Sequence, residues 1–144
     1  MDVFEELIRD HRTIEQRIVE INQTTDKEVG CREQLFRKLR AGFEAHELFE
    51  EEILYPAIDQ FPFAKSPMGD AFDEHVELDA KFQEIADTPA NKTEWAERIC
   101  ELKDMMQEHM RMEEETIFPA ARMRLAETRA EELGRQFRER TDVC

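Results

Sequence analysis

Apolar residues recur along most of this chain at the three- and four-residue spacing of an amphipathic helix, with polar residues between them. The pattern predicts four long helices and a short fifth helix near the C-terminal end. The first helix extends from 2 to 23, and the second from the Thr25 and Glu28 capping signal to Pro56. The third extends from Ser66 and Pro67 to about Ala86, and the fourth from the Asn91 and Glu94 capping signal to Pro119. The fifth begins at Thr128. The segment 59–65 is predicted to be a loop, because prolines interrupt the helical pattern there.

Length and composition narrow the fold further. The chain has 144 residues, which is enough for one hydrophobic core, and only 4 glycines and 5 prolines, while strong helix formers are abundant. Short connections between consecutive helices make neighbours antiparallel. We therefore predict an all-α, up-down-up-down four-helix bundle with a short C-terminal fifth helix, in a single domain over 1–144. Two pseudo-repeats, at about 2–62 and 66–121, make up most of it.

The repeat is clearest around the histidines, of which the chain has 4. His11 and His46 belong to the first half, and His75 and His109 to the second. The sequence HELFEEEILYPA begins at His46 and HMRMEEETIFPA begins at His109, with six of twelve positions identical. Whatever the histidines do is therefore predicted to be done once in each half.

Each histidine is predicted to face the core. On its helix, the positions seven before, three before and three after lie on the same face, and all twelve of them are apolar. They are Phe4, Ile8, Ile14, Leu39, Phe43, Phe49, Met68, Phe72, Leu78, Leu102, Met106 and Met112. One histidine from each helix can then meet the other three inside the bundle.

Two glutamates share that inward face, because Glu50 follows His46 by four residues and Glu113 follows His109 by four. Burying two carboxylates beside four imidazoles costs several kcal/mol per ion unless a cation compensates them. We therefore predict a metal site formed by His11, His46, Glu50, His75, His109 and Glu113. Nitrogen and oxygen donors without sulfur suit iron, manganese or zinc, and six ligands suit two ions. The alternative is a metal-free polar layer that fixes helix register in an interaction module.

Four other residues are left out of the predicted ligand set. Glu15 and Asp79 each follow a histidine by four residues, but a position at the bundle edge or an orienting role is the favoured interpretation. Cys100 lies half a helical turn away from the face of His109, and Tyr55 is predicted to point away from His46.

Charge and cysteine content restrict the partners. The net charge is -15, which repels phosphate backbones and anionic lipid surfaces, so neither a nucleic acid nor a membrane partner is expected. The 3 cysteines show no Cys-x-x-Cys spacing and are expected to be reduced thiols. With no apolar run of membrane-spanning length and no signal-like N-terminus, a cytoplasmic location is expected.

The order His11, His46-x-x-x-Glu50, His75 and His109-x-x-x-Glu113 resembles the haemerythrin-like HHE cation-binding domain over nearly the whole chain. This resemblance implies a non-haem di-iron centre with an oxo or hydroxo bridge. It implies that His11 and His46 bind one iron, that His75 and His109 bind the other, and that both glutamates bridge the two.

The chain departs from oxygen-carrying haemerythrins, which have a fifth histidine where Asp79 stands and an aspartate five residues after the last histidine. The resemblance therefore favours binding, sensing or reducing a small oxidant, such as oxygen, peroxide or nitric oxide, over oxygen transport. An electron donor would then be a partner. The alternative is an iron store or donor, as in the iron-sulfur cluster repair proteins, with an iron acceptor protein as partner. Those proteins usually carry an additional cysteine-containing N-terminal domain.

Overall fold

The structure is a computed structural model that describes residues 1–58 and 67–142, with the backbone alone at 67–70 and 142. Within these residues every regular element is helical. The elements are α1 (Val3–Asn22), α2 (Val29–Phe49), π1 (Glu50–Leu54), α3 (Tyr55–Ile58), α4 (Pro67–Ala86), α5 (Thr93–Met112), π2 (Glu113–Ile117), α6 (Phe118–Arg122) and α7 (Glu127–Asp142). The loop predicted at 59–65 lies outside the described residues.

The four long helices form the predicted bundle. In it α1 packs against α2, α4 packs against α5, and α1 also contacts α5. The additional helix α7 lies along α1, so the predicted fifth helix is confirmed as well.

The core of the bundle has two apolar clusters. One contains Phe4, Leu7 and Phe49 together with α7 side chains, and the other contains Ile14, Phe43 and many residues nearer the opposite end. All four histidines fall between these clusters along their helices and are buried. The fold therefore places a polar layer inside the bundle, with apolar packing above and below it.

Two predicted helix starts are early, that of the second helix by a few residues and that of the fourth by one. The second helix begins at Val29, because the Glu28 carboxylate accepts a hydrogen bond of 2.9 Å from the Thr25 backbone N–H and closes a turn before the helix. The fourth helix begins at Thr93, after a Lys92 cap that makes no side-chain hydrogen bond.

Pro56 and Pro119 do not end their helices, contrary to the sequence-based expectation. Each proline follows a π-helical turn. The backbone N–H of the residue before it, Tyr55 for Pro56 and Phe118 for Pro119, donates to the carbonyl five residues earlier. A π turn contains one residue more than an α turn, which moves the preceding carbonyls away from the proline ring. The helices consequently continue through α3 and α6.

Helix α7 is fixed against the start of α1 by close packing. Leu133 and Phe137 are buried, and a Cβ added to Gly134 would lie 2.7 Å from the carbonyl oxygen of Met1. Arg138 adds an ion pair of 3.0 Å with the buried Glu6. This docking holds the Phe137 ring against the polar layer.

None of the helices in the described part of the chain combines the length and apolar character required to cross a bilayer.

Candidate metal centre

All six predicted ligands lie together in the polar layer. Each is at most 2% exposed: His11, His46, Glu50, His75, His109 and Glu113. Of the twelve flanking apolar residues, eight are buried, and Ile8 and Met112 are partly buried and pack against the core. Phe72 is 38% exposed and does not face the core as predicted, while the Met68 side chain lies outside the description.

The histidines form two pairs. The ring centroids of His11 and His46 are 4.8 Å apart, and those of His75 and His109 are 4.7 Å apart. These are the pairs that the family resemblance assigns to the two metal ions.

The two glutamates lie between the pairs. Glu113 Oε1 is 3.4 Å from His11 Nε2 and 3.0 Å from His109 Nε2. The Glu50 carboxylate is 3.5 Å from His46 Nε2 and 3.3 Å from His75 Nε2. Each carboxylate therefore contacts one histidine of each pair, which is the placement that a bridging ligand needs.

On the outer side, each imidazole is held by a further carboxylate. The Nδ1 atoms lie 2.8 Å from Glu114 for His11, 2.7 Å from Asp10 for His46, 2.9 Å from Glu51 for His75, and 2.8 Å from Glu74 for His109. A carboxylate accepts this hydrogen bond, so a neutral ring carries its proton on Nδ1. The Nε2 lone pairs then point into the layer, and the outer acids fix the ring orientation as they do in metal sites.

Several side-chain nitrogen and oxygen atoms that face the inside of the layer lack hydrogen-bond partners. Five buried atoms in the layer have no hydrogen bond: Nε2 of His11 and His46, both carboxylate oxygens of Glu50, and Oε1 of Glu113. In addition, Nε2 of His75 lies 3.0 Å from Nε2 of His109, so that in the absence of a cation one of the two nitrogens must carry a proton. Unpaired buried acceptors are costly, and a cation between them would satisfy all of these atoms. The residues present therefore fit a metal centre.

The electrostatics of the layer favour a positive occupant. Burial lowers the pKa of His109, but the neighbouring Glu113 carboxylate outweighs burial and raises this pKa to about 10. Burial raises the pKa of Glu113, yet His109 and the hydrogen bonds around it hold that pKa well below its usual range. The carboxylate is thus ionised, and the imidazole is an unusually strong base.

Tyr55 belongs to this site through His75 and Glu113, contacts that the prediction about its direction relative to His46 did not include. Its ring stacks on His75 at a centroid distance of 6.4 Å, and its hydroxyl donates a hydrogen bond of 3.0 Å to Glu113 Oε2. The extra residue of the π turn rotates the following side chains by about 100° relative to an uninterrupted α-helix. In the other half, Phe118 stacks on His11 in the equivalent place.

The outer carboxylates were missed from the sequence, although a repeat signal marks them. Asp10 and Glu74 directly precede a histidine in each half, and Glu51 and Glu114 directly follow Glu50 and Glu113. Each of them reaches a histidine on a different helix, which spacing along one helix does not reveal.

The other three residues left out of the ligand set lie outside the layer. Glu15 forms an ion pair of 2.6 Å with Arg12, and Asp79 lies within hydrogen-bonding reach of Glu47. Cys100 is exposed.

The chain belongs to the Hemerythrin HHE cation binding domain family, whose model matches residues 2–121. Among solved structures it is similar to a Hemerythrin HHE cation binding domain-containing protein from Mycobacterium kansasii, with a TM-score of 0.86 and 22% identity, over 99% of this chain and 86% of that one. A curated relative from Nostoc sp. named DNA nickase is 25% identical over 138 residues. That match covers 96% of this chain and 38% of the relative, so the chain spans well under half of that protein.

Proposed function

We propose that the polar layer holds two iron ions and that this centre binds, senses or reduces a small oxidant, namely oxygen, peroxide or nitric oxide. In the proposal His11 and His46 hold one ion, His75 and His109 hold the other, and both glutamates bridge them, with the oxo or hydroxo group that the family resemblance implies. The observation that carries the proposal is the set of five buried nitrogen and oxygen atoms without a hydrogen bond, which lie on α1, on α2 with its continuation π1, and on π2. Manganese and zinc suit the same donors.

The bound ions would supply electron exchange and open coordination positions for the ligand. The protein supplies orientation. Asp10, Glu51, Glu74 and Glu114 each hold one imidazole by its Nδ1 proton, which keeps Nε2 free for the metal. Tyr55 holds Glu113 through its hydroxyl. Burial raises the pKa of Tyr55 well above its usual range, so the phenol keeps its proton and remains a donor.

The surroundings of the layer support a small ligand. The Phe43 ring meets His75 edge-on at 6.2 Å, and the Phe137 ring meets His46 edge-on at 5.9 Å. Phe118 covers His11 by stacking at 5.9 Å. Such an apolar enclosure excludes bulky substrates and limits the water that competes for the centre.

The proposal includes no nucleic-acid partner. A net charge of -15 opposes contact with a phosphate backbone, and no basic surface stripe is evident in the sequence. We therefore infer that the activity in the name of the longer Nostoc relative does not extend to this chain.

The metal-free interaction module is the less supported alternative. A polar layer that only specified packing would be expected to pair each of its buried atoms, whereas in this layer five buried nitrogen and oxygen atoms have no hydrogen bond.

Anaerobic reconstitution with ferrous iron tests the proposed function. We expect close to two iron ions per chain and an absorption change when oxygen, peroxide or nitric oxide is added. Chelation should lower the melting temperature, because a site absent from the unfolded chain adds its binding energy to folding.

Matched variants make this experiment specific. H46A and H109A should lose iron, while C100S, at an exposed position outside the layer, should retain it. No metal after reconstitution, together with a melting temperature that chelation leaves unchanged, would favour the interaction module instead. Bound iron that responds to none of the three oxidants would contradict the proposed ligand class. Transfer of that iron to an apo acceptor protein would then favour the donor alternative.

A further inference from the structure

A second group of acids lies on the outer side of His75, between α2, π1 and α4. Glu51 Oε1 accepts from His75 Nδ1 at 2.9 Å, and Glu47 Oε2 lies 3.8 Å from the same nitrogen. Asp79 lies within hydrogen-bonding reach of Glu47 and is exposed to solvent. We call these three residues the outer acidic cluster.

The buried member of the outer acidic cluster, Glu47, is paired with another acid, Asp79. Glu47 is only 5% exposed, and its Oε2 atom has no hydrogen bond. No lysine or arginine of the described ranges 1–58 and 67–142 forms an ion pair with Glu47, Glu51 or Asp79. A buried carboxyl group needs a compensating charge or a proton, and none of these basic side chains supplies that charge.

The other half of the molecule shows how the equivalent place is completed. The repeat aligns Glu51 with Glu114 and Asp79 with Glu15. There the Arg12 guanidinium lies between the two acids, 2.6 Å from Glu15 and in direct contact with Glu114. A built-in cation therefore neutralises the acids on the outer side of His11.

Two residues that differ between the halves make the surroundings of His75 more negative than those of His11. Val76 stands where the repeat has Arg12, and it is 56% exposed, so it supplies no charge. Glu47 stands where the repeat has Met110, which adds a third carboxylate to the half that lacks the arginine. One half thus has two acids with a fixed cation, and the other has three acids without one.

We propose that Glu47, Glu51 and Asp79 bind a hard divalent cation of the Mn²⁺ and Fe²⁺ class, in the place that the Arg12 guanidinium occupies in the other half. Carboxylate oxygens are the donors that such ions prefer. Glu51 keeps one oxygen for His75 and offers the other, Glu47 offers its unpartnered Oε2, and Asp79 opens the site to solvent. This site shares none of the six predicted ligands of the metal centre, although Glu51 also holds His75, and it would bring a third ion to the chain.

Manganese titration of iron-reconstituted, desalted protein tests the proposal, with free Mn²⁺ followed by its electron paramagnetic resonance signal. We expect the wild type to bind one Mn²⁺ per chain beyond its iron. D79N should weaken this binding at least tenfold, and V76R, which restores the arginine of the other half, should abolish it. E15Q removes the acid equivalent to Asp79 where Arg12 already fills the site, so it should bind Mn²⁺ as the wild type does.

Both altered positions are exposed, so these variants are expected to fold, and circular dichroism checks this directly. The iron content of D79N and V76R should equal that of the wild type, because neither position is one of the six predicted ligands of the metal centre. This result distinguishes a defect in the outer acidic cluster from a defect in that centre. Three results would overturn the proposal: a wild type that binds no additional Mn²⁺, equal binding in wild type, D79N and V76R, or loss of iron in D79N.

Discussion

Each histidine of the candidate centre is held between two acids, one on each ring nitrogen. For His46 these are Asp10 at 2.7 Å on Nδ1 and Glu50 at 3.5 Å on Nε2. Only the inner acid would touch a metal. The outer one sets which nitrogen carries the proton and makes the ring a stronger base, since a negative charge favours the charged form of its neighbour.

Replacing Asp10 by Asn should therefore weaken metal binding without removing a ligand. Asparagine keeps an acceptor for His46 but loses the charge, and loss of such an outer partner typically costs about 10- to 100-fold in metal affinity. Competition with a coloured chelator measures this. E15Q is the matched control, because Glu15 pairs with Arg12 and has no contact with a histidine. Equal chelator midpoints for D10N and the wild type would show that the outer acid plays no part.

Removing the Tyr55 hydroxyl tests the asymmetry between the two halves. Phe118 occupies the equivalent place with a bare ring, so Y55F should keep the packing and lose the hydrogen bond to Glu113. A hydrogen bond to a charged group contributes about 1.5–3 kcal/mol, so we expect a loss of roughly tenfold or more in iron affinity. Chelator competition and urea unfolding measure the two effects. Unchanged affinity and stability would mean that Glu113 finds another donor.

At the scale of residues, the sequence revealed the inner atoms of the site and missed the outer ones. The four histidines and two glutamates lie on one face of their own helices, so helical periodicity was sufficient to group them. Asp10 acts on His46 of another helix, and Glu74 acts on His109 of another helix. Such contacts depend on how helices are oriented in the bundle, which spacing along a single helix does not contain.

Helix α7 is the element whose position depends most on one residue. A Cβ on Gly134 would lie 2.7 Å from Met1 O, 2.8 Å from Asp2 C and 2.9 Å from Val3 N, all of which are backbone atoms that cannot rotate away. The absence of a side chain lets α7 approach α1 closely and brings Phe137 to 5.9 Å from His46.

G134A should therefore destabilise the protein, although alanine is the better helix former. Overpacking costs about 1–3 kcal/mol, which exceeds the gain of roughly 1 kcal/mol from replacing glycine in a helix. G30A is the control, since an added Cβ there meets nothing within 4 Å and should stabilise by at most about 1 kcal/mol. Urea unfolding of the two variants compares them. If both are stabilised, α7 does not pack as tightly as described.

At the scale of elements, the apolar pattern predicted the four long helices and the fifth, because each buries one continuous stripe. The two π turns were not predicted. Each inserts one residue into a helix that otherwise continues, so the sequence around Pro56 and Pro119 looked like a helix end. The same insertion brings Tyr55 to the site, through contacts that a strictly α-helical projection relative to His46 did not include.

For the whole molecule, part of the acidic character surrounds the four histidines. The net charge is -15, and seven acids contact the histidines, with Asp79 beyond them at Glu47: Asp10, Glu47, Glu50, Glu51, Glu74, Glu113 and Glu114. Such a field attracts cations and repels polyanions. Burial raises the pKa of Glu47, and Asp79 raises it further, to about 10. Without a cation, protons must therefore neutralise part of this charge.

The metal-free protein should accordingly lose stability as pH rises from about 6.5 to about 10. Burial lowers the pKa values of His11, His46 and His75, but neighbouring carboxylates outweigh it and raise all three, and the pKa of His109 reaches about 10. A histidine whose folded pKa exceeds its unfolded value of about 6.5 stabilises the fold fully below 6.5, and that contribution disappears as pH passes the folded value. Glu47, with its raised pKa, acts in the same direction, since its proton is also retained only in the folded state.

Urea unfolding midpoints at pH 6.5, 8 and 9.5 measure this slope in chelator-treated protein. Iron-loaded protein is the control, because metal in place of protons on Nε2 should remove most of the dependence between these pH values. Stability of the metal-free form that is flat or rises over this interval would show that its imidazoles are neutral when folded. The acids around them would then not hold the charge that makes the layer a cation site.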